Sequence, residues 1–396
     1  MKLPSFSRVV LLLSLVSLLT DISSEMLYPV MPLYLQSIGF SALWIGFLEG
    51  AAQVVIGFST GYFGKLSDQI GTRLPFVRVG YFLSACSKPM MILWNATGWV
   101  FFSRIAERLG KGIRTSARDA LLADASHENE RGRVFGFHRA MDTLGAAIGP
   151  LIALAYLTLH PGEYSFLFLL AFIPGIIGAT ATLFIRQKRT TRRTGERTGF
   201  LSFIRYWKIA TPAYRKIVLG LLFFALLNSS DSFLFLISHD AGISDRDLIL
   251  AYVFYNFIFA LTAYPAGILA DKLGMRNTVM LGLTFFVIAY TGFSQLTSSG
   301  MLFLMFGCYG FFGALTEGIT KAWLSTQCES GDRGTALGFY KSLSSLLSLP
   351  SSLLAGYLWM SISPSFSILY SAIGTCFVIL YFLLFIPGAH RRSPTL

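Results

Sequence analysis

The sequence contains few charged residues. Only 13% of its 396 residues are Asp, Glu, Lys or Arg, whereas soluble domains carry about 25%. The hydrophobic fraction is 54%, and the mean hydropathy is +0.61. A membrane-spanning helix needs about 20 mostly apolar residues, so the chain has room for roughly twelve spans joined by short loops. This composition excludes a water-soluble protein and leaves no room for a separate soluble domain.

Cysteine and histidine are also scarce. The four cysteines (Cys86, Cys308, Cys328 and Cys376) are far apart and form no CxxC pair, so neither a disulfide framework nor a metal site is predicted. The sequence has no HExxH pair, no nucleophile elbow and no phosphate-binding GxxxxGK[ST] loop. These absences argue against a membrane enzyme and an ATP-driven pump, and no cofactor is predicted.

Basic residues are concentrated in a few loops. The net charge is +12, and ten of the 32 Lys and Arg residues lie between Arg186 and Lys216. Because basic loops stay on the cytoplasmic side, this distribution predicts a multi-pass inner (plasma) membrane protein with both termini cytoplasmic. Its partner would be the lipid bilayer rather than nucleic acid. The N-terminal apolar run continues to Asp21 and Glu25, so we interpret it as an uncleaved first span.

Apolar runs between charged breaks indicate where the spans lie. Twelve spans are predicted near residues 8–36, 42–64, 76–95, 98–121, 133–158, 164–185, 216–238, 247–269, 278–296, 301–325, 334–358 and 365–387. The fourth carries seven charges, but omitting it would disrupt the alternation of basic and non-basic loops. The sequence therefore predicts an all-α integral membrane protein with a six-helix bundle over 1–186, a basic cytoplasmic linker over 187–215 and a second bundle over 216–396.

Two motifs occur twice. The stretch Gly64–Arg73 (GKLSDQIGTR) recurs 203 residues later as Gly267–Arg276 (GILADKLGMR). Arg131–Arg139 (RGRVFGFHR) recurs 202 residues later as Arg333–Lys341 (RGTALGFYK). Two motifs with nearly the same offset indicate an internal duplication, so the two bundles are expected to be related by a pseudo-two-fold axis.

With these motifs the chain resembles the major facilitator superfamily over its whole length. Gly64–Arg73 is similar to that family's loop motif between spans two and three, although Gln69 and Thr72 depart from it. The resemblance implies the major facilitator fold and a transporter that works by alternating access. An aspartate that caps or pairs in one conformation and not in the other would act as a latch, whereas the alternative is an ordinary charged turn. The predicted latch residues are Gly64, Asp68, Gly71, Arg73, Asp271, Gly274 and Arg276.

A glycine motif in the fifth span is similar to one that the family associates with exporters and antiporters. It comprises Gly145, Gly149 and Pro150. Small residues four apart let helices pack closely, and the proline bends the helix. Generic helix packing is the alternative interpretation.

The charges of the fourth span recur at steps of three and four residues, which places them on one helical face. The stretch around Arg108 resembles the family's fourth-span arginine motif. Charged side chains are tolerated within a membrane when they face a wet cavity or an opposite charge. The alternative interpretation, a cytoplasmic amphipathic helix, conflicts with the predicted topology. The predicted proton-coupling ion network is Asp21, Glu25, Glu49, Glu107, Arg108, Lys111, Arg114, Arg118 and Asp142, with His138 and Arg139 nearby.

The second half carries fewer intramembrane charges and more polar aromatic surface. Its candidates for a substrate cavity are Asp231, Tyr255, Asn256, Glu317, Lys321 and Tyr340. We therefore expect a monomeric transporter, not an enzyme, that exports a small organic solute by proton antiport, with Asp21 or Glu25 carrying the proton. The alternatives are proton-coupled uptake of an anionic nutrient or metal chelate, another coupling cation, and a transporter-like sensor without flux.

Overall fold

The computed structural model describes residues 6–28, 30–31, 34–35, 38–40, 42–94, 96–160, 162–187, 202–228 and 231–387. No strand occurs in these ranges. The long helices are α1 Arg8–Glu25, α2 Ala42–Ile70, α3 Leu74–Leu93, α4 Thr97–Asp124, α5 Arg131–Leu159, α6 Tyr164–Ala181, α7 Pro212–Leu227, α8 Ser232–Asp240, α9 Asp245–Leu273, α10 Met275–Phe293, α11 Ser299–Thr326, α12 Arg333–Ser361 and α13 Pro364–Phe385. Of the predicted linker, 188–201 lies outside the described residues.

Most predicted spans coincide with one helix each, but two differ. The predicted first span runs to residue 36, whereas α1 ends at Glu25, residues 26–28 form turns, and the described residues 31, 34 and 35 are helical again. The sequence places Pro29 just beyond those turns, and a proline disfavours helical geometry in the residue before it. The predicted seventh span divides into α7 and α8, with residues 229–230 between them outside the described part.

Six helical segments in the described residues are long and apolar enough to cross a membrane by composition alone. They are Glu128–Leu159, Tyr164–Phe184, Leu250–Leu273, Ser299–Thr326, Ser330–Ser361 and Pro364–Phe385. Other helices carry more charge or are shorter: α1 contains Arg8, Asp21 and Glu25, and α7 has 16 residues. A charged helix can span a membrane when neighbouring helices shield its polar face.

The chain forms two compact units that do not follow the sequence halves strictly. The first comprises Met1–His127, His138–Ala210 and Cys328–Leu349, and the second comprises Glu128–Phe137, Thr211–Gln327 and Pro350–Leu396. Each unit therefore takes up the beginning of one helix, α5 or α12, from the other half. The division at the linker stays a prediction.

In the first unit, α4 packs between α2 and α3, and α6 packs on α1 and α3. Two glycines set the approach of α3 and α4. A Cβ atom on Gly80 would lie 2.6 Å from the carbonyl oxygen of Gly110, and one on Gly110 would lie 2.7 Å from that of Gly80. Only glycine permits contact this close between two helix backbones.

The second unit has an aromatic core between α7, α10 and α11. The rings of Phe286 and Tyr290 stack at 3.9 Å between centroids, and Phe312 meets Phe286 edge-on at 5.0 Å. Large apolar side chains such as Leu353 and Leu384 are exposed on the outer surface. This is the pattern expected of helices that face lipid.

The α3–α4 contact predicts that replacing two glycines of α4 by alanine changes the stability of the protein by different amounts. We expect Gly110→Ala to lower stability by about 1–3 kcal/mol, because the added methyl group has no space. Gly98→Ala is the matched control, since nothing lies within 4 Å of its Cβ position. Thermal unfolding of the detergent-purified variants measures both. Equal melting temperatures for the two variants would contradict this packing.

Candidate functional site

The charged face of α4 is turned into the first unit. Arg104, Glu107, Arg108, Arg114 and Arg118 are all buried, and Lys111 of the same face is exposed. Charged groups are therefore kept from lipid and held against other helices, as the low polarity of the bilayer requires.

Glu107 is held by two bases from two helices. The Nη1 atom of Arg104 lies 2.5 Å from Oε2 of Glu107, and Nζ of Lys88 lies 3.7 Å from Oε1. Lys88, on α3, is 1% exposed and also donates to the carbonyl oxygen of Ser84 at 2.9 Å. Lys88 was not among the predicted network residues, although a lysine in the middle of a predicted span is a usable signal.

Arg114 is fixed by α3. Its Cζ atom lies 4.5 Å from the centroid of the Tyr81 ring, and its Nη1 atom donates to Oγ of Ser84 at 2.5 Å. A guanidinium stacked on an aromatic face and tied by a hydrogen bond has little freedom left. The plane of this guanidinium is therefore set before any ligand arrives.

Asp142 of α5 has polar contacts with α1 and within α5 itself, and Ser17 connects it to α4. Nη1 of Arg139 lies 2.7 Å from Oδ2 of Asp142, and Oγ of Ser17 donates to Oδ1. Nη1 of Arg118 donates to the same Ser17 oxygen at 3.2 Å, while Nη2 of Arg118 pairs with Asp119 at 2.9 Å. Ser17 thus links Arg118 of α4 to the carboxylate of α5.

The α1 carboxyl groups join this network. Asp21 forms a side-chain hydrogen bond with Asp142 and faces the charge of Lys111. Glu25, one turn later, faces Lys111 and Arg108. Two neighbouring carboxylates repel each other when both are ionised, so an arrangement of this kind favours one shared proton. Of the remaining predicted member, Glu49, the structure describes only its position in α2.

The glycine motif of α5 packs on the same part of α1. A Cβ atom on Gly145 would lie 2.5 Å from the carbonyl oxygen of Leu18, and one on Gly149 would lie 2.7 Å from the backbone nitrogen of Met26. Pro150 lies within α5, which continues to Leu159. The motif therefore brings α5 against the turn that carries Asp21 and Glu25, and its link to export stays a prediction.

A small polar cavity of about 20 Å³ lies in this network, which is room for about one water molecule. Among the residues that the structure describes, four bases and two acids line it, together with serine and tyrosine hydroxyl groups. Its lining residues are Ser24, Glu25, Tyr28, Ser84, Arg104, Glu107, Arg108, Lys111 and Arg114.

The duplicated loop motif makes duplicated helix caps. In the first unit, Asp68 accepts hydrogen bonds from the backbone nitrogens of Gly334 at 3.2 Å and Thr335 at 2.6 Å, in the first turn of α12. In the second unit, Asp271 accepts from the nitrogens of Gly132 and Arg133, both at 2.8 Å, in the first turn of α5. A carboxylate in this position satisfies orphan N–H groups and the positive end of the helix dipole.

The two caps differ in their ionic partners. Arg73 lies 2.5 Å from Asp68 and 2.7 Å from Asp124, and Arg333 also pairs with Asp124. Arg276, the counterpart of Arg73, instead donates to the carbonyl oxygens of Phe382 and Leu383 at 3.2 Å. The first cap is therefore embedded in an ionic cluster that includes Asp124, a residue absent from the predicted latch.

The latch glycines have backbone roles. Gly71 and Gly274 have φ angles of +72° and +89°, in the left-handed region that favours glycine. Gly64 faces the backbone of Gly334, which leaves no space for a Cβ atom.

Most of the substrate-cavity candidates lie in the second unit. The Tyr309 hydroxyl donates to Asp231 at 2.6 Å, and the ring of Tyr255 stacks on Tyr309 at 5.2 Å. Glu317 faces the charge of Asp231. Asn256 donates to the carbonyl oxygen of Tyr252 at 3.1 Å, and Lys321 lies on α11, one turn beyond Glu317. Tyr340 belongs to the first unit and is therefore not grouped with them.

A wider cavity of about 320 Å³ lies in the second unit, at the ends of α7, α10, α11 and α13. Its walls are mostly apolar, with Lys216 and Arg276 among the lining residues. It contains none of the carboxylates discussed above. Within the described ranges, no group of three or more His, Cys, Asp or Glu residues could hold a metal ion.

The fold and these contacts define a polytopic helical membrane protein built from an internal duplication. A model of the Major Facilitator Superfamily matches residues 13–238 and 217–396. The chain is 33% identical over 376 residues to an uncharacterized MFS-type transporter of Methanocaldococcus jannaschii, covering 93% of this chain and 92% of that protein. This chain therefore belongs to the major facilitator superfamily, a family of transporters rather than enzymes.

Other similarities are more distant. A quinolone resistance protein, NorA of Staphylococcus aureus, is 25% identical over 122 residues, which is 31% of each chain. The human organic anion transporter MFSD10 superimposes with a TM-score of 0.77 at 19% identity, covering 96% of this chain and 100% of that one. The proton:xylose symporter XylE superimposes with a TM-score of 0.73 at 14% identity, covering 96% and 95%. These structures show the shared fold.

The difference between the two caps predicts unequal effects of removing them. Asp271→Ala removes a helix cap and should cost about 1 kcal/mol. Asp68→Ala also removes an ion-pair partner of buried Arg73 and should cost more, on the order of 3 kcal/mol. Thermal unfolding in detergent ranks the two variants, and Asp68→Asn, which keeps a capping oxygen, should fall between them. A larger loss for Asp271→Ala would refute this assignment.

The pairing of Glu107 predicts an asymmetric double-mutant cycle. Glu107→Gln leaves Arg104 and Lys88 buried without their carboxylate and should cost about 3–5 kcal/mol. Lys88→Met should cost less, because Glu107 keeps Arg104. In the Glu107→Gln background, Lys88→Met should restore part of the lost stability. Additive losses in melting temperature would show that Lys88 and Glu107 do not interact.

Proposed function

We propose that this protein is a proton-coupled secondary transporter that moves a small solute across the membrane by alternating access. The observation that carries the proposal is the carboxyl pair formed by Asp21 of α1 and Asp142 of α5, at the point where a Cβ atom on Gly145 of α5 would lie 3.1 Å from the Cβ atom of Asp21. It lies among bases, next to a polar cavity, in a chain that belongs to a transporter family.

The pair has two arrangements with different charge. When one proton is shared, Asp21 can donate to or accept from Asp142, and the two helices stay in contact. When that proton leaves, the two carboxylates repel, and Asp21 is drawn toward Lys111 of α4. A group that changes its partner on protonation biases a two-state equilibrium. Glu25, one turn away and facing the same lysine, is the second candidate carrier.

Helix α4 connects this chemistry to the first helix cap. Arg118 contacts Ser17 and Asp119, and six residues later, about 9 Å along the helix, Asp124 pairs with Arg73 and Arg333. A displacement of α4 caused by a change of proton occupancy would therefore act on the ionic cluster around Asp68. This gives the predicted latch a physical route to the carboxyl pair.

The small cavity indicates that solute binding needs another conformation. Its volume of about 20 Å³ cannot hold a molecule of several heavy atoms. The lining helices must separate before a solute enters, and the capped start of α12 is a contact that such a movement would break. Alternating access consists of such a change between two packed states.

The solute could be exported in exchange for protons or taken up together with them, and each direction has a supporting observation. The α5 glycine motif and the partial similarity to a quinolone resistance protein favour export by proton antiport. The excess of bases over acids among the described lining residues favours the second hypothesis, proton-coupled uptake of an anion. The carboxyl pair supports proton coupling in both cases.

The proposal predicts that proton movement depends on the carboxyl pair. In liposomes containing a pH-sensitive dye, a panel of organic anions, organic cations and metal chelates should include solutes that drive proton flux through the wild-type protein. Asp21→Asn and Asp142→Asn should each reduce that flux at least tenfold, because the carboxyl group that exchanges the proton is lost. Glu163→Gln, at the start of α6, is the control and should behave as wild type. Unchanged proton flux in Asp21→Asn would refute this role.

A further inference from the structure

We propose that Asp231 and the aromatic rings beside it bind the transported solute, and that this solute is an organic cation with a positively charged nitrogen on an apolar body. The inference rests on the proposed function and names its substrate class. Of the two directions of coupling, it supports the exchange of solute for protons.

Asp231 lies where the predicted seventh span, residues 216–238, divides into two helices. Helix α7 ends at Leu227, and the backbone of the next residue, Asn228, is extended. Helix α8 begins at Ser232, so Asp231 directly precedes its first turn. Non-helical backbone at membrane depth is tolerated where it is buried in protein or lines a water-filled cavity. Interrupted helices of this kind provide substrate and ion sites in transporters.

The carboxylate of Asp231 is exposed and accepts a hydrogen bond from the Tyr309 hydroxyl at 2.6 Å. It forms no salt bridge in the part of the chain that the structure describes. The charged side chain that faces it, Glu317 of α11, is also an acid. A carboxylate within a membrane is costly unless a positive charge or a proton accompanies it. A cationic solute can supply that positive charge.

The charged residues of the surrounding helices lie mainly at helix ends. Helices α9 to α13 contact α8 or the acid that precedes it. Asp, Glu, Lys, Arg and His occur within the first five residues of α7 and α10, at the last two of α8, within the first and last three of α9, at the first of α12 and nowhere in α13. The exceptions are Glu317, Lys321 and Lys341. Lys321 lies about 18 Å along α11 beyond Tyr309, and Lys341 lies 18 residues before Trp359, the α12 residue whose ring contacts α8.

Aromatic rings lie beside the carboxylate. Phe235 is one helical turn after Asp231, so the two side chains share a face of α8. The ring centroid of Phe235 lies 5.5 Å from that of Tyr252, which stacks on Tyr255 at 5.7 Å, and Tyr255 stacks on Tyr309 at 5.2 Å. Phe235 and Tyr252 are half-buried, so their rings retain accessible surface. Because the face of an aromatic ring attracts a cation, the rings and the carboxylate favour the same class of ligand.

Protonation of Asp231 and binding of a cation exclude each other. A protonated carboxyl group has lost the charge that attracts the cation, and a bound cation in turn favours release of the proton. Glu317 adds negative charge near Asp231 and does not reverse this sign. A solute and a proton that compete for one carboxylate occupy it in turn, so they cross the membrane in opposite directions.

The test is ligand-induced thermal stabilisation of the full-length protein in detergent, with probes that share a benzyl group and differ in charge. The cations are benzylammonium and benzyltrimethylammonium, the neutral probe is benzyl alcohol, and the anion is phenylacetate. We expect a cation to raise the melting temperature, with a half-saturating concentration about threefold higher at pH 5.5 than at pH 7.5. The neutral probe and the anion should leave the melting temperature unchanged.

Substitutions at the site locate the effect. Asp231→Asn should raise the half-saturating concentration about tenfold, because the charged partner of the cation is lost, and should remove its pH dependence. Tyr252→Leu should raise it about threefold, because a ring face is lost. Asp240→Asn removes another exposed carboxylate of α8 and is the control, which should behave as wild type. If Asp231→Asn does not fold, Tyr309→Phe keeps the ring, removes the hydrogen bond to the carboxylate and should raise the concentration about threefold.

The remaining outcomes separate this inference from the proposed function. Stabilisation by no cation, or by a cation equally well in wild type and Asp231→Asn, would overturn the inference. Proton flux that still depends on Asp21 and Asp142 would then leave the proposed function standing. In the converse case, cations bind with the expected dependence on pH and on Asp231, yet none of them drives proton flux in liposomes. That result would support the cation site and refute the proposed proton coupling.

Discussion

The constraint on which the first unit depends is the free energy of placing a charged helix in a bilayer. An intramembrane charge without a partner costs about 3 kcal/mol on insertion scales. The charges of α4 taken together would cost roughly 20 kcal/mol on that basis, more than the typical net stability of a folded protein. Helix α4 can span the membrane because α1, α3 and α5 bring Ser17, Lys88 and Asp142, among other groups, to its polar face. The arrangement of these helices follows from the need to satisfy α4.

Charged side chains on neighbouring helices can form hydrogen bonds when the helix backbones lie close together. This requirement explains where the glycines occur. Gly80 and Gly110 let α3 and α4 touch where Ser84 meets Arg114. Gly145 and Gly149 let α5 touch α1 where Asp21 meets Asp142. Small residues therefore act on the electrostatics indirectly, since they set the separation of the helices that carry the charges.

Much of this organisation was predictable from the sequence. The helical class, most span positions and the duplication follow from composition, periodicity and the offset of two motifs. The charged face of α4 follows from steps of three and four residues. The partners of those charges were harder to predict, because they depend on the rotation of neighbouring helices. No local sequence pattern marks Lys88, Asp124 or Tyr309. Their roles depend on contacts with residues that are distant in the sequence.

The helix caps exchanged between the repeats have a consequence for the evolution of the chain. Asp68 of the first repeat caps α12 of the second, and Asp271 of the second repeat caps α5 of the first. Each repeat therefore supplies the acceptor for N–H groups that the other repeat cannot satisfy alone. Once the ancestral halves had fused and diverged, a half transplanted from a relative would bring an unmatched donor or acceptor. Compensating substitutions for a damaged cap should then be sought in the opposite half of the gene, and the two halves should have changed in concert.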